Sequence, residues 1–244
     1  QDLEFDLVIS VPQFYRKWGA VDESAVSEIP DWVNLHRPTE DFGPATKLLG
    51  ALEFASSKNY DYIITVDDDV VFSSDNYLSY LAGFSSIEPD VAWTVGGIQL
   101  SCWPYHNRFG LRYSSEYCYV NAVRGVAGTI YPVRKLLSSD LPFSLRNDVL
   151  PGAFNDDDAY FGAVLHAMKI PIIAVPNHPN GRVVTVASSG GSAVTEKQDR
   201  DRQTNESEFF RFCVRNKLIG HDLIRRQPSN TTVSKMHDHY QEFV

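Results

Sequence analysis

The stretch Tyr62-Ile63-Ile64-Thr65-Val66-Asp67-Asp68-Asp69 decides the fold: a short apolar run opens directly onto three carboxylates. Such a run reads as a buried strand. In open α/β sheets, ligands gather at the carboxyl ends of strands. Residues two apart in extended chain point to the same side, so Asp67 and Asp69 can converge while Asp68 points elsewhere. Three adjacent carboxylates resist joint ionisation. A divalent cation removes that penalty, and Mg²⁺ and similar ions take one or two carboxylates plus water and phosphate oxygens. The plain alternative is a solvated acidic turn after a strand.

Working outward, strand and helix signals alternate. Residues 7–11 (LVISV), closed by Pro12, read as a buried strand, and residues 13–40 as irregular. Asp41-Phe42-Gly43-Pro44 opens a helix with Pro44 in its favoured first position, and Leu48, Leu49, Leu52 and Ala55 form its apolar stripe. Downstream of the acidic triplet, Ser73-Ser74-Asp75 supplies caps for a helix with Tyr77, Leu78, Leu81 and Phe84 on one side. Residues 91–98 read as one strand, 99–117 as a long aromatic loop, and 119–123 as another strand. Gly125-Val126-Ala127-Gly128 follows, then a short helix from Val133. Asn155 caps a helix with Phe161, Val164, Leu165 and Met168 inside, and residues 171–175 (PIIAV) read as a further strand. Residues 188–192 form a flexible Gly/Ser stretch, and residues 196–218 a charged surface helix. The alternation predicts an α/β class, with one domain over residues 1–220 and a tail over 221–244.

Composition bounds the function. The chain has 244 residues, 43% hydrophobic and 22% charged, which is ordinary for a globular protein and long enough for a sizeable core. The formal net charge is −9, so the overall basic footprint of a general nucleic-acid binder is missing. No apolar run reaches membrane-spanning length. The three cysteines, Cys102, Cys118 and Cys213, fit no zinc spacing. They read as packed thiols, with a Cys102–Cys118 bridge as the alternative. Sequons at Asn205 and Asn230 keep a secretory route open, so both a cytoplasmic and a lumenal location stand. The chain opens at Gln1 without a Met or a signal-type apolar segment, which reads as a fragment.

A second acidic cluster, Asp156-Asp157-Asp158, starts the helix that Asn155 caps. Carboxylates in a first helical turn are favoured by the helix dipole. The functional alternative is a general base, since attack by a hydroxyl needs a proton acceptor within hydrogen-bond reach. In the aromatic loop, Trp103, Tyr105 and His106 either pack or stack on a ligand.

These residues also carry a resemblance. The run from Ile64 through Asp67-Asp68-Asp69 to Val70-Val71-Phe72 resembles the Asp-x-Asp segment of GT-A-fold glycosyltransferases, and is especially similar to the β-1,3-galactosyltransferase and Fringe-like group. Asp157-Asp158-Ala159-Tyr160-Phe161-Gly162 resembles that group's Glu-Asp-Val-Tyr-Val-Gly helix start, with Asp157 in place of Glu. Gly125-Val126-Ala127-Gly128-Thr129 and Tyr131 resemble its glycine-rich acceptor-side segment, and Asp41 to Lys47 its helix start before the metal motif. Order and spacing agree over residues 41–176.

The resemblance implies a GT-A-like, Rossmann-like central sheet, mostly parallel and flanked by helices. It implies a metal-dependent transferase that moves a sugar from a nucleotide-sugar, a UDP-sugar first, to an acceptor hydroxyl of a glycan or other molecule, with inversion. Asp69 and Asp67 would hold Mn²⁺ or Mg²⁺, with a late His, His178, as a further ligand. Asp41, Lys47, Asp67 and Asp68 would lie at the donor, Trp103, Tyr105, Gly128 and Asp157 at the acceptor, and Asp158 would be the catalytic base. The stretch before Asp67 is short for that group, which leaves two alternatives: the first nucleotide-binding strand is missing and residues 7–11 are the second, or the nucleoside pocket is built differently.

Two rivals stand beside this reading. A haloacid-dehalogenase-type phosphatase also places Asp-x-Asp after an apolar strand, but on the first strand of its chain. A catalytically inactive GT-A-like module would keep Asp67 and Asp69 and still bind nucleotide or carbohydrate. An EF-hand loop starting at Asp67 fails, because Phe72 stands where Gly is required and Leu78 where Glu is required.

Overall fold

In the computed structural model Asp67 and Asp68 follow an outer strand of a five-stranded sheet covered by helices on both faces. The described residues are 3–68, 70–72, 74–100, 108–111, 117–144, 157–179, 183–185 and 228–243, with backbone alone at 99–100, 108–111, 159 and 183–185. The first half runs β1 (Val8–Ser10), β2 (Phe14–Tyr15), β3 (Gly19–Ala20), α1 (Glu23–Val26), β4 (Asn34–His36), a 3₁₀ turn (Gly43–Ala45), α2 (Thr46–Ala55), β5 (Tyr62–Thr65), β6 (Val70–Phe72) and α3 (Tyr77–Ser85). Then come β7 (Ala92–Thr94), β8 (Gly97–Leu100), β9 (Arg108–Leu111), β10 (Cys118–Tyr119), β11 (Ala122–Val123), a 3₁₀ turn (Gly125–Ala127), β12 (Thr129–Pro132), α4 (Val133–Leu136) and α5 (Leu141–Ser144). The chain continues with α6 (Asp157–Ala167), β13 (Ile172–Ala174), β14 (Val183–Thr185) and α7 (Asn230–Gln241). Among the described residues no helix is long and apolar enough to cross a membrane.

The main sheet has the order β10-β13-β7-β12-β5. Its sheet is mixed, which corrects the expectation of a mostly parallel one. Only β13–β7 is parallel, while β10–β13, β7–β12 and β12–β5 are antiparallel. The cause is β12, which sequence patterning did not reveal. It returns from the Gly125–Ala127 turn and runs antiparallel between β5 and β7, pairing Thr129 with both Thr65 and Thr94.

Strand alternation divides the core. Ala92, Tyr131, Ile172 and Ala174 face α2 and α6, packing with Leu48, Leu49, Leu52, Phe161, Val164 and Leu165. Trp93, Ile130 and Ile173 face the other way, onto Tyr77, Tyr80, Leu81 and Phe84 of α3 and Met236 of α7. Central strands buried on both faces need apolar residues on both, which explains their unbroken burial.

Other expectations change in detail. The 7–11 strand forms as β1, but among the described residues it pairs only with β4 and leaves Leu7, Ile9 and Leu35 more than a third exposed. Its covered face lies on α2, where Gly50 lets Ser10 approach; a Cβ there would stand 2.7 Å from Ser10 Oγ. Residues 13–40 are not irregular throughout, since they carry β2, β3, α1 and β4. The 91–98 strand splits into β7 and β8 in different sheets, β8 pairs with β9 inside the expected aromatic loop, and 119–123 splits into β10 and β11. On α3, Tyr80 joins Tyr77, Leu81 and Phe84 in the core in place of Leu78. Within residues 221–244, α7 is docked on α3, where Gly83 makes room for the His239 ring and His239 Nε2 lies 2.9 Å from Tyr80 O. Residues 188–192 and 196–218, Asn155, Cys102 and Cys213 lie outside the described residues.

Candidate active site

Lys47 gathers the site. It stands in the first turn of α2, and that turn is fixed by its neighbours. Asp41 accepts hydrogen bonds from Gly43 N and Arg16 N, both at 2.8 Å, and Phe42 N donates to Thr46 Oγ1 at 3.1 Å. Asp41 is therefore buried with each of its carboxylate oxygens bonded to a backbone amide. The helix start so held aims Lys47 Nζ at Asp67 Oδ1, 2.5 Å away, and at Asp157 Oδ2, 2.7 Å away. Asp67 stands two residues beyond the end of β5, and Asp157 opens α6.

The start of α6 is placed by close packing. A Cβ on Gly162 would stand 3.0 Å from Asn121 O and from Ala122, so only glycine lets α6 approach β11 this closely. His166, one turn further on, bonds Asn121 O at 2.7 Å through Nε2. Asp158 then accepts a hydrogen bond from Gly125 N at 2.9 Å. Gly125 itself borders the cluster, for a Cβ there would lie 3.2 Å from Lys47 Nζ and 3.4 Å from Asp158 Oδ1.

Burial opposes the charge on Lys47, but the carboxylates of Asp157 and Asp67 outweigh it and hold its pKa well above the ordinary lysine range. The ammonium is thus fixed as a permanent positive charge between two anions. Beneath them lies the fully buried Tyr131, whose pKa is pushed far up by burial and then by Asp158 and Asp157. Its phenol stays protonated and serves only as a neutral hydrogen-bonding group. On the open side, Tyr15 is raised by burial, then by Asp41, with Arg37 opposing and Asp68 adding. Its pairing with Trp18, edge to face at 5.6 Å, sets an exposed indole beside this flank.

Of the residues expected at the site, Lys47, Asp67, Asp157 and Asp158 come together, with Gly125 between them. Asp68 is exposed on the adjoining turn. Gly128 adopts φ 107°, and a Cβ there would stand 2.8 Å from Leu81 Cδ1, so its demonstrable task is to turn the chain into β12. His178 sits among Tyr77, Tyr80 and Phe243, at ring separations of 5.0–5.9 Å. Burial lowers its pKa. No ion pair or hydrogen bond of the Lys47 cluster extends to it among the described residues. Asp69, Trp103, Tyr105, His106 and Asp156 lie outside the described residues.

Among the described residues no group of three His, Cys, Asp or Glu side chains could hold a metal ion. Among the described residues, the carboxylate at the end of β5 that suits a hard cation is that of Asp67. Lys47 already neutralises part of Asp67, and it shares its one charge with Asp157. A second positive charge therefore fits this donor set.

Sequence reasoning had no role for Tyr131, Thr65 or Tyr15. Tyr131 carried a motif match, yet its place beneath the acidic pair depends on β12, which the pattern did not show. Tyr15 had no signal beyond lying among aromatic residues. No protein-family model matches the chain, and no curated protein sequence matches it.

Proposed function

We propose that the chain is a glycosyltransferase that uses a divalent cation, Mn²⁺ or Mg²⁺, to move a sugar from a nucleotide-sugar, a UDP-sugar first, to an acceptor hydroxyl. One observation carries this reading. Motifs far apart in sequence, the helix start with Lys47, the acidic strand end at Asp67, the Gly125 turn and the Asp157-Asp158 helix start, meet around a single ammonium. A solvated acidic turn would require no such convergence.

The residues divide the work. Lys47 places fixed positive charge where a diphosphate leaving group gains negative charge, which is the preorganised electrostatics that lowers a transition state. Asp67, with Asp69 of the same motif, would hold the cation, which when bound would supply further positive charge to the diphosphate. Asp158 takes the acceptor's proton as the acceptor oxygen bonds the anomeric carbon and the bond to the diphosphate oxygen breaks. Direct displacement inverts the anomeric centre. Gly125 N–H anchors one oxygen of Asp158 and so orients the carboxylate. Calorimetry with UDP, GDP and CDP, each with Mn²⁺ and with EDTA, tests the reading. Metal-dependent binding of one nucleotide supports it, and binding of none counts against it. Release of inorganic phosphate from phosphomonoesters would favour a phosphatase.

A further inference from the structure

A row of hydroxyls crosses the sheet on the face that packs against α2 and α6. Thr94 Oγ1 lies 3.1 Å from Thr129 Oγ1 and donates to Gly96 O at 2.5 Å. Thr129 is paired in register with Thr65 on the next strand. Tyr131, two residues along β12, leans back over the same face. Thr94, Thr129 and Tyr131 are 0% exposed and Thr65 4%. The Thr65 and Thr129 hydroxyls are near enough to lower the phenol's pKa against burial, but Tyr131 OH makes no hydrogen bond of good geometry.

Tyr131 OH and Thr65 Oγ1 are thus buried without a hydrogen-bond partner among the described residues. Leaving such groups unsatisfied is costly, and native interiors satisfy them directly or through ordered water. The charged groups that act on this phenol are Asp158 and Asp157 from α6, to which Lys47 of α2 and Asp67 after β5 are joined by ion pairs. Two hydroxyl donors below and carboxylate acceptors above make a polar site of the kind that holds one buried water.

We propose that Tyr131 and Thr65 together hold a structural water beneath Asp157 and Asp158, which makes Tyr131 a positioning residue for the acidic pair. Tyr131 O–H and Thr65 O–H donate to the water oxygen, and the water donates to the carboxylates. The water fixes the pair from below as Gly125 N–H fixes Asp158 from the side. The site stands whether or not the chain is a transferase, and its catalytic value rests on that reading.

The test compares wild type with Tyr131→Phe and Thr65→Val, both close in shape to the originals. Oxygen-17 magnetic relaxation dispersion counts long-lived waters, and amide hydrogen exchange reads the Gly125 N–H bond to Asp158, with Ile130 as a core reference. The expected result is one long-lived water fewer in each variant. Gly125 exchange should rise about tenfold, the scale of a lost hydrogen bond, with Ile130 unchanged. An unchanged water count in both variants, or unchanged Gly125 exchange, overturns the proposal. Because neither readout uses a substrate, absence of turnover in the wild type would count against the transferase reading alone.

Discussion

Lys47 Nζ lies 2.7 Å from Asp157 Oδ2, so the first turn of α2 and the first turn of α6 are tied by charge across the end of the sheet. Asp67 joins the same ammonium from the end of β5. Removing that ammonium leaves two carboxylates facing each other in a half-buried site. Lys47→Met, which keeps the stem, should cost about 3 kcal/mol, the lower end for breaking a buried pair. Urea unfolding measures it. Loss of less than about 0.5 kcal/mol would mean the pair is worth no more than an exposed one. Because the folded pKa of Lys47 is raised, its contribution is fully present below the ordinary lysine value of 10.5 and is lost only as pH rises above it.

Two glycines separate site from scaffold. Gly128→Ala forces a Cβ onto a residue at φ 107° and against Leu81, so it should destabilise by about 1–3 kcal/mol. Gly125→Ala meets Lys47 Nζ and Asp158 Oδ1 at 3.2–3.4 Å and no backbone. It should leave the melting temperature within a few degrees of wild type while weakening nucleotide binding. Equal effects of the two changes on stability would contradict this division.

Acid should weaken the fold through two histidines. Burial lowers the pKa of His166, with its bond to Asn121 O working the other way, and burial lowers that of His178. An unfolded chain takes up protons at the ordinary 6.5 while the folded one resists. The stability from keeping both rings neutral is therefore present above that pH and is lost as pH falls. His166→Gln should flatten this loss, measured as the change in urea midpoint between about pH 7.5 and about pH 5. An equally steep loss in the variant would remove His166 from the account.

Much of this architecture was legible in sequence, and the failures have physical causes. Leu48, Leu49, Leu52 and Ala55 at helical spacing gave a stripe that the structure buries entirely. The apolar run of β5 ends at Asp67 as its pattern implied. In contrast, β12 reads Thr-Ile-Tyr-Pro, buried throughout yet with hydroxyl-bearing Thr129 and Tyr131 on one face, so it shows no apolar run and no apolar–polar alternation. Residues 7–11 look buried because a short apolar run reads the same whether one face is covered or two. Ile9 and Leu35 sit opposite each other on the uncovered face. The Lys47–Asp157 contact was not legible, since no local pattern pairs two helix starts and the resemblance set Lys47 at the donor and Asp157 at the acceptor.

Asp158→Asn separates chemistry from binding. It keeps a group that accepts from Gly125 N–H but cannot take a proton. Turnover should fall about 10²–10⁴-fold, the usual worth of a general base. Nucleotide affinity in Mn²⁺ should hold within about twofold, since a base that serves the acceptor leaves donor binding unchanged. A variant that turns over normally at saturating acceptor would move the base to Asp156 or Asp157.

The most direct measurement is turnover by the wild-type chain on a panel of nucleotide-sugars and hydroxyl acceptors, with Mn²⁺ and with EDTA, reading the anomeric configuration of the product. The account predicts transfer from one donor, abolished by EDTA, restored by Mn²⁺ or Mg²⁺, with inversion. Undiminished transfer in EDTA would contradict the role of the acidic strand end, and a retained anomer would contradict that of Asp158. No transfer from any donor would contradict the enzymatic reading itself.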